Sequence, residues 1–246
     1  MGLFKFKEFH IAQDRCAQKV GTDGVLLGAW TTPHKIPQNI LDIGTGTGVI
    51  SLMLAQRFTA SNIEAIEIDT DAFEQATENF ENSPWGDRLF CFHSSFQEFY
   101  EEVEERFDLI VSNPPFFDSN SLKKESQIEE KRQQARFDDA LPFEELVYGV
   151  YQLLALDGTF SCIIPKEREE RFLEITSHFQ LTPVRTVYIK GTANSPVKRC
   201  LMEFRFRESV KETNTTPTIE HLTIEIARHD YTDDYINLTK DFYLKM

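Results

Sequence analysis

Short apolar runs alternate with amphipathic segments through the middle of this 246-residue chain, and that alternation restricts the fold more than any other feature. Residues 40–43, 63–68, 89–92, 107–112 and 158–164 have strand length and apolar or half-apolar character. Between them lie helical patterns over 49–58, 71–82, about 97–104 and about 142–155. Parallel neighbours need a crossover of this size, whereas antiparallel ones join through tight turns. The spacing therefore predicts an α/β fold: a mostly parallel sheet with right-handed crossovers and helices on both faces. Asp71 to Glu74 reads as the capping box of the second of these helices, and Thr22 or Asp23 as the N-cap of an earlier short one. Beyond a helix at about 167–178, residues 183–190 and 197–207 read as two long strands forming an antiparallel hairpin through Gly191 to Pro196. Residues 208–218 read as a linker, 222–227 as a strand and 232–243 as an end helix.

Composition narrows the class. At 41% hydrophobic residues the chain can bury a large core. No apolar run approaches a membrane span and the first residues lack an apolar signal core, so a cytoplasmic protein is expected. Cys16, Cys91, Cys162 and Cys200 are far apart and form no C-x-x-C pair, so neither a metal site nor a disulfide framework is indicated. The formal net charge of −14 argues, on its face, against a polyanionic partner.

The strand ends carry the chemistry. The run Leu109 to Val111 stops at Ser112-Asn113-Pro114-Pro115-Phe116-Phe117. Proline has no N–H for a ladder and pushes its predecessor into extended backbone. The Asn113 side-chain oxygen and the Pro114 carbonyl then stand side by side as acceptors, with the Phe116 ring beside them. That set suits a flat ring bearing an NH2 group; the other reading is an ordinary Asn-Pro turn. Upstream, Gly44-Thr45-Gly46-Thr47-Gly48 joins a strand to a helix, where glycines let backbone approach a ligand. The dinucleotide fingerprint G-x-G-x-x-G would need glycine where Val49 stands, so a pyrophosphate cradle is disfavoured. Glu67 ends the next strand, where a carboxylate can accept both hydroxyls of a ribose.

Asp42 to Gly48, Glu67 and Asn113-Pro114-Pro115-Phe116 together resemble the class I S-adenosylmethionine-dependent amino-group N-methyltransferases, with their Rossmann-like sheet. Val20 to Trp30, Asn82-Ser83-Pro84-Trp85 and Gln134-Ala135-Arg136-Phe137 resemble, more closely, the bacterial tRNA1(Val) adenine-37 N6-methyltransferase family. The resemblance spans roughly residues 4–207. It implies that S-adenosylmethionine is the cofactor, that Asp42, Gly44, Gly46 and Gly48 line its methionine part, and that Glu67 holds its ribose. Asn113, Pro114 and Phe116 would then hold the target adenine of a tRNA. One position departs from the pattern: the third strand usually ends near an Asp that contacts the cofactor's adenine amine, whereas His93-Ser94-Ser95-Phe96 offers only Ser95. The implied organisation is an extension over 1–38 that contributes to the site, a methyltransferase domain over 39–207, and a C-terminal extension over 208–246.

Other substrates fit the same acceptors. A protein glutamine N5-methyltransferase or a DNA adenine N6-methyltransferase would use Asn113 and Pro114 in the same way, and a non-catalytic RNA- or nucleotide-binding protein could use the fold alone. Residues 118–137, polar and densely charged, read as a loop over the site or as a solvated insertion. Arg185, Lys190, Lys198, Arg199, Arg205 and Arg207 stand against the single acid Glu203 over 185–207. This hairpin is the expected tRNA-binding surface, the alternative being strand residues with solvated heads.

Overall fold

The computed structural model describes residues 2–115, 141–213 and 216–246. In chain order the elements are β1 (Phe4–Lys5), β2 (His10–Ile11), α1 (Thr22–Trp30), β3 (Asn39–Ile43), α2 (Val49–Arg57), β4 (Asn62–Glu67), α3 (Thr70–Glu81), β5 (Leu89–His93), α4 (Phe96–Glu102) and β6 (Phe107–Ser112). They continue with α5 (Phe143–Leu153), β7 (Leu154–Pro165), α6 (Glu169–His178), β8 (Leu181–Thr192), β9 (Val197–Phe206), α7 (Arg207–Thr213), β10 (Thr218–Ala227), β11 (Asp230–Tyr231) and α8 (Asp233–Thr239). A nine-stranded sheet has the order β11-β10-β8-β9-β7-β6-β3-β4-β5. Its pairings are parallel except where β9 meets β7 and β8 and where β11 meets β10, so only β9 and β11 run against the rest.

Alternation along each strand sorts the core into two halves. Ile40, Ile63, Leu109, Val111 and Leu201 point into a cluster closed by α1 and α2 together with Phe80 of α3 and Tyr235 of α8. Leu41, Ile66, Ile110, Phe160 and Phe204 point the other way, into a cluster closed by α4, α5 and α6. Each side chain fully removed from water contributes about 1.5–3 kcal/mol, so both faces are held by burial rather than by helix propensity. No described helix is long and apolar enough to cross a membrane.

Several local expectations are corrected. The cap of α3 is Asp69, whose side chain accepts from Ala72 N, because β4 ends at Glu67 and leaves Asp69 as the last extended residue. The reciprocal capping box sits instead at the start of α4, between Ser95 and Glu98. Gly21 precedes α1 with no side-chain cap. The stretch read as a linker begins with helix α7, and the strand that follows it, β10, adds to the sheet in parallel beside β8. The expected loop over 118–137 lies outside the described residues.

The chain's two ends meet: Phe6 bridges to Tyr243 and Lys7 N donates to Phe242 O at 2.8 Å. Phe6 stacks on both Phe9 and Tyr243, and Phe9 meets Trp85 edge-on.

Helices α4 and α5 approach unusually closely because Gly149 has no side chain. A Cβ there would lie 2.3 Å from Phe96 Cε1 and 2.6 Å from Tyr100 Cδ1, and Phe96 is buried. Gly149→Ala should therefore destabilise the protein by about 1–2 kcal/mol net, overpacking outweighing alanine's better helix propensity. A lowered urea midpoint at unchanged slope is the expected readout.

Candidate active site

The connection between β3 and α2 is shaped by left-handed backbone. Gly44, Gly46 and Gly48 have φ of 70°, 57° and 80°, values that favour glycine. At Gly44 and Gly46 an added Cβ would meet no atom within 4 Å, and both residues line a cavity of about 470 Å³ at the carboxyl edge of the sheet. At Gly48 a Cβ would lie 2.5 Å from Phe80 Cε1, so there the glycine admits α3 rather than a ligand. Asn79, one residue earlier on α3, donates to Thr47 O at 2.9 Å. Gly48 thus stands off the cavity.

Asp42 lies beneath the turn. It is fully buried, and its Oδ2 accepts from Thr45 Oγ1 and Ser51 Oγ, each at 2.7 Å. Its Oδ1 is buried without a hydrogen-bond partner among the described residues. Burial pushes its pKa up to about 6, against the opposing pull of the two hydroxyls. Asp42 is absent from the cavity wall; it braces the turn from behind.

Glu67 faces the cavity at the end of β4. Its Oε2 accepts from Gly46 N at 2.9 Å, and its Oε1 accepts from Ile68 N and Asp69 N, each at 3.0 Å. A carboxylate offers about four acceptor sites, so with three taken one remains for a ribose hydroxyl. Bare, left-handed glycine backbone on one side and an acid at the next strand end fit a nucleoside with a short charged tail.

Across the sheet Ile43 pairs with Ser112, whose Oγ donates to Ile43 O at 3.0 Å. That bond sets Asn113 and Pro114, the residues that follow β6, against the glycine turn, and both line the same cavity. Phe116 lies outside the described residues. Ser95 lines the cavity too, but its hydroxyl is already engaged: Oγ donates to Glu98 Oε2 at 2.8 Å and accepts from Glu98 N at 3.2 Å.

Two sets of wall residues are not singled out by sequence reasoning, although a contribution from residues 1–38 is expected. Cys16, Ala17 and Gln18 wall the cavity, held there because Ala12 N donates to Asn79 Oδ1 and Arg15 N to Gln75 Oε1 while Arg15 pairs with Glu74 and Glu78. Glu145, in the first turn of α5, lines it from the opposite side. No local signal marks either; the buried polar positions Gln75 and Asn79 on α3 were the available hint.

The hairpin charges separate along the strands. Lys190, Lys198 and Arg199 stand near the turn between β8 and β9, on the carboxyl edge that carries Asn113. Arg185 pairs with Glu220 and stacks on Trp30, Arg205 is buried, and Arg207 follows β9 at the opposite edge. Because β8 and β9 are interior strands, their side chains alternate between two packed faces, and the six cations form no single patch. Arg199 also bonds Asp23 at 2.8 Å.

The Methyltransferase small domain family matches residues 20–134. A solved structure described as a predicted O-methyltransferase from Agrobacterium tumefaciens superimposes with a TM-score of 0.67 at 15% identity, covering 89% of this chain and 96% of that one, a likeness of fold alone. Fold and family match together define a class I methyltransferase. The tRNA1(Val) (adenine(37)-N6)-methyltransferase of Christiangramia forsetii is 55% identical over 99% of this chain and 98% of its own length. That of Flavobacterium johnsoniae is 52% identical over 99% and 100%. The chain belongs to the tRNA1(Val) (adenine(37)-N6)-methyltransferase family.

Asp42 gives a pH signature. With its folded-state pKa raised above the ordinary value, the folded protein holds a proton that the unfolded chain has lost, so its contribution falls as pH rises from about 4 to about 6 and is constant above. Asp42→Asn should therefore gain stability relative to the wild type across that interval, by up to roughly 3 kcal/mol. Paired urea titrations at pH 4 and pH 7 measure the difference.

Proposed function

We propose that this protein methylates N6 of adenine-37 in tRNA1(Val), with S-adenosylmethionine as donor. The observation that carries the reading is that the glycine turn, Glu67 and the Asn113–Pro114 acceptor pair line one cavity, in a chain related over nearly its full length to enzymes of that name. When bound, S-adenosylmethionine supplies an electrophilic sulfonium methyl group. Gly44 and Gly46 would receive its methionine part and Glu67 its ribose.

The target nitrogen of adenine is a weak nucleophile because its lone pair is delocalised into the ring. Asn113 Oδ1 and the Pro114 carbonyl oxygen accept its two N–H bonds, which favours pyramidal nitrogen and turns the lone pair toward the cavity. Neither acceptor has to remove a proton first, since the methylated nitrogen is acidic enough to release one to water. Phe116 is assigned the stacking role against the extruded base, worth roughly 1–3 kcal/mol. A tRNA substrate accords with a cytoplasmic setting.

RNA reaching Asn113 must approach the carboxyl edge of the sheet, so the hairpin tip, with Lys190 and exposed Lys198, replaces the whole hairpin as the proposed phosphate contact. Each phosphate contact adds roughly 0.7–0.9 to the salt slope of binding.

Asn113→Ala should reduce methyl transfer by at least about 100-fold with cofactor affinity retained. Nucleoside mass spectrometry of tRNA treated with labelled S-adenosylmethionine reads both the product and its position; N6-methyladenosine formed at wild-type rate by the variant would remove Asn113 from the mechanism. Lys190→Glu with Lys198→Glu should weaken tRNA binding and flatten its salt dependence while cofactor binding stays the same. Equal tRNA affinity in a salt series would place the RNA elsewhere.

A further inference from the structure

At the end of β5 the cavity is walled by Ser94, Ser95 and Phe96, none of which carries a carboxylate. With the methionine part at the turn after β3 and the ribose at Glu67 after β4, the cofactor's base falls beside the next strand end, at Ser94, Ser95 and Phe96. The polar groups that β5 offers there are hydroxyls with bonds of their own. Ser94 Oγ donates to Ser95 O at 2.9 Å, and Ser95 Oγ is closed in its capping box with Glu98. Asp69 caps α3 through Ala72 N at 2.9 Å. An adenine amine placed here would meet only neutral hydroxyl acceptors on β5, and Asp69, which keeps acceptor capacity, belongs to the β4 side that also carries Glu67. A hydrogen bond to a charged acceptor is stronger than one between neutral groups.

Helix α5 brings one from the other side. Gly149 presses against the Phe96 ring, and Tyr148 meets Tyr100 edge-on at 5.4 Å between centroids. Glu145 lies one turn before Gly149 on the same helix face, because residues four apart stack along an α-helix. It is half-buried and lines the cavity together with Ser95 and Phe96. Its neighbour Glu144 is directed away, to Arg171 at 2.6 Å. The missing side chain at Gly149 thus carries the Glu145 carboxylate toward the corner that β5 leaves without an acid.

We infer that Glu145 is the specificity-determining residue for the cofactor's base, accepting a hydrogen bond from the exocyclic amine of adenine in place of an acid on β5. The inference rests on the S-adenosylmethionine reading above. Adenine offers an N–H2 donor at this position, whereas hypoxanthine offers an oxygen, which a carboxylate repels. Discrimination between the two bases should therefore depend on Glu145.

The test is calorimetric binding of S-adenosylhomocysteine and of its deaminated, hypoxanthine-bearing analogue to the full-length protein. The wild type should prefer the adenine ligand by on the order of 10- to 100-fold, the range of a hydrogen bond to a charged group. Glu145→Ala should bring the ratio near one, and Glu145→Gln should flatten it as well, since an amide can face either base. Glu67→Ala should weaken both ligands equally and leave the ratio unchanged, as would a purely structural effect. A wild-type preference that persists in Glu145→Ala, or equal wild-type binding of both ligands, overturns the assignment while the cofactor reading stands. Failure of the wild type to bind S-adenosylhomocysteine overturns the cofactor reading itself.

Discussion

The parallel pairing of β3 with β6 is the constraint on which the site depends. Four register pairs, Ile40 with Leu109 through Ile43 with Ser112, bring together two strands that are separated in sequence by three crossovers. This is where the strand order reverses, β4 and β5 lying to one side of β3 and β6 and β7 to the other. Open α/β sheets hold their ligands in the crevice at such a point. The glycine turn and the Asn113–Pro114 pair are therefore brought together by ladder hydrogen bonds. A slip of one residue would send Ile110 and Val111 to the wrong faces and carry Asn113 away from Gly44, so the two core clusters hold the site in register.

Below this pairing lies a supporting layer set back from the cavity wall. Asp42 gathers two hydroxyls under the glycine turn, Phe80 fills the space left by Gly48, and Asn79 ties Thr47 to Ala12. Helix α3 thereby positions the glycine turn and the N-terminal wall of the cavity through adjacent residues. Burial makes this layer costly as well as stiff: a carboxylate under the turn is desolvated, and its two hydroxyl partners, with the Ser51 backbone N–H, keep its pKa from rising further.

What the sequence made legible was local. Apolar runs of strand length, three glycines before a helix, an acid at a strand end and an amide before two prolines each have meaning within a few residues, and each points to the same edge of the same sheet. What stayed hidden depends on which residues meet after folding. Asp71 and Asp69 are equally good caps by composition, and only the end of β4 decides between them. The basic residues of 185–207 look like one patch until the pleat and the neighbouring strands separate them, sending Arg185 to Glu220 and burying Arg205. Ser95 looks like a spare hydroxyl until Glu98 claims it. Glu145 is one acid among many in an acidic chain, and its place at the cavity follows from the absence of a side chain four residues later.

The bridge between residues 6–7 and 242–243 has a consequence for how the fold opens. Phe6 and Lys7 meet Tyr243 and Phe242 across a long stretch of sequence, and loop closure over that stretch must precede those contacts. Neither segment can therefore fray alone: lifting one strips the other of its bridge and wets the Phe6 and Tyr243 rings together, so two segments far apart in sequence behave as one unit of local unfolding.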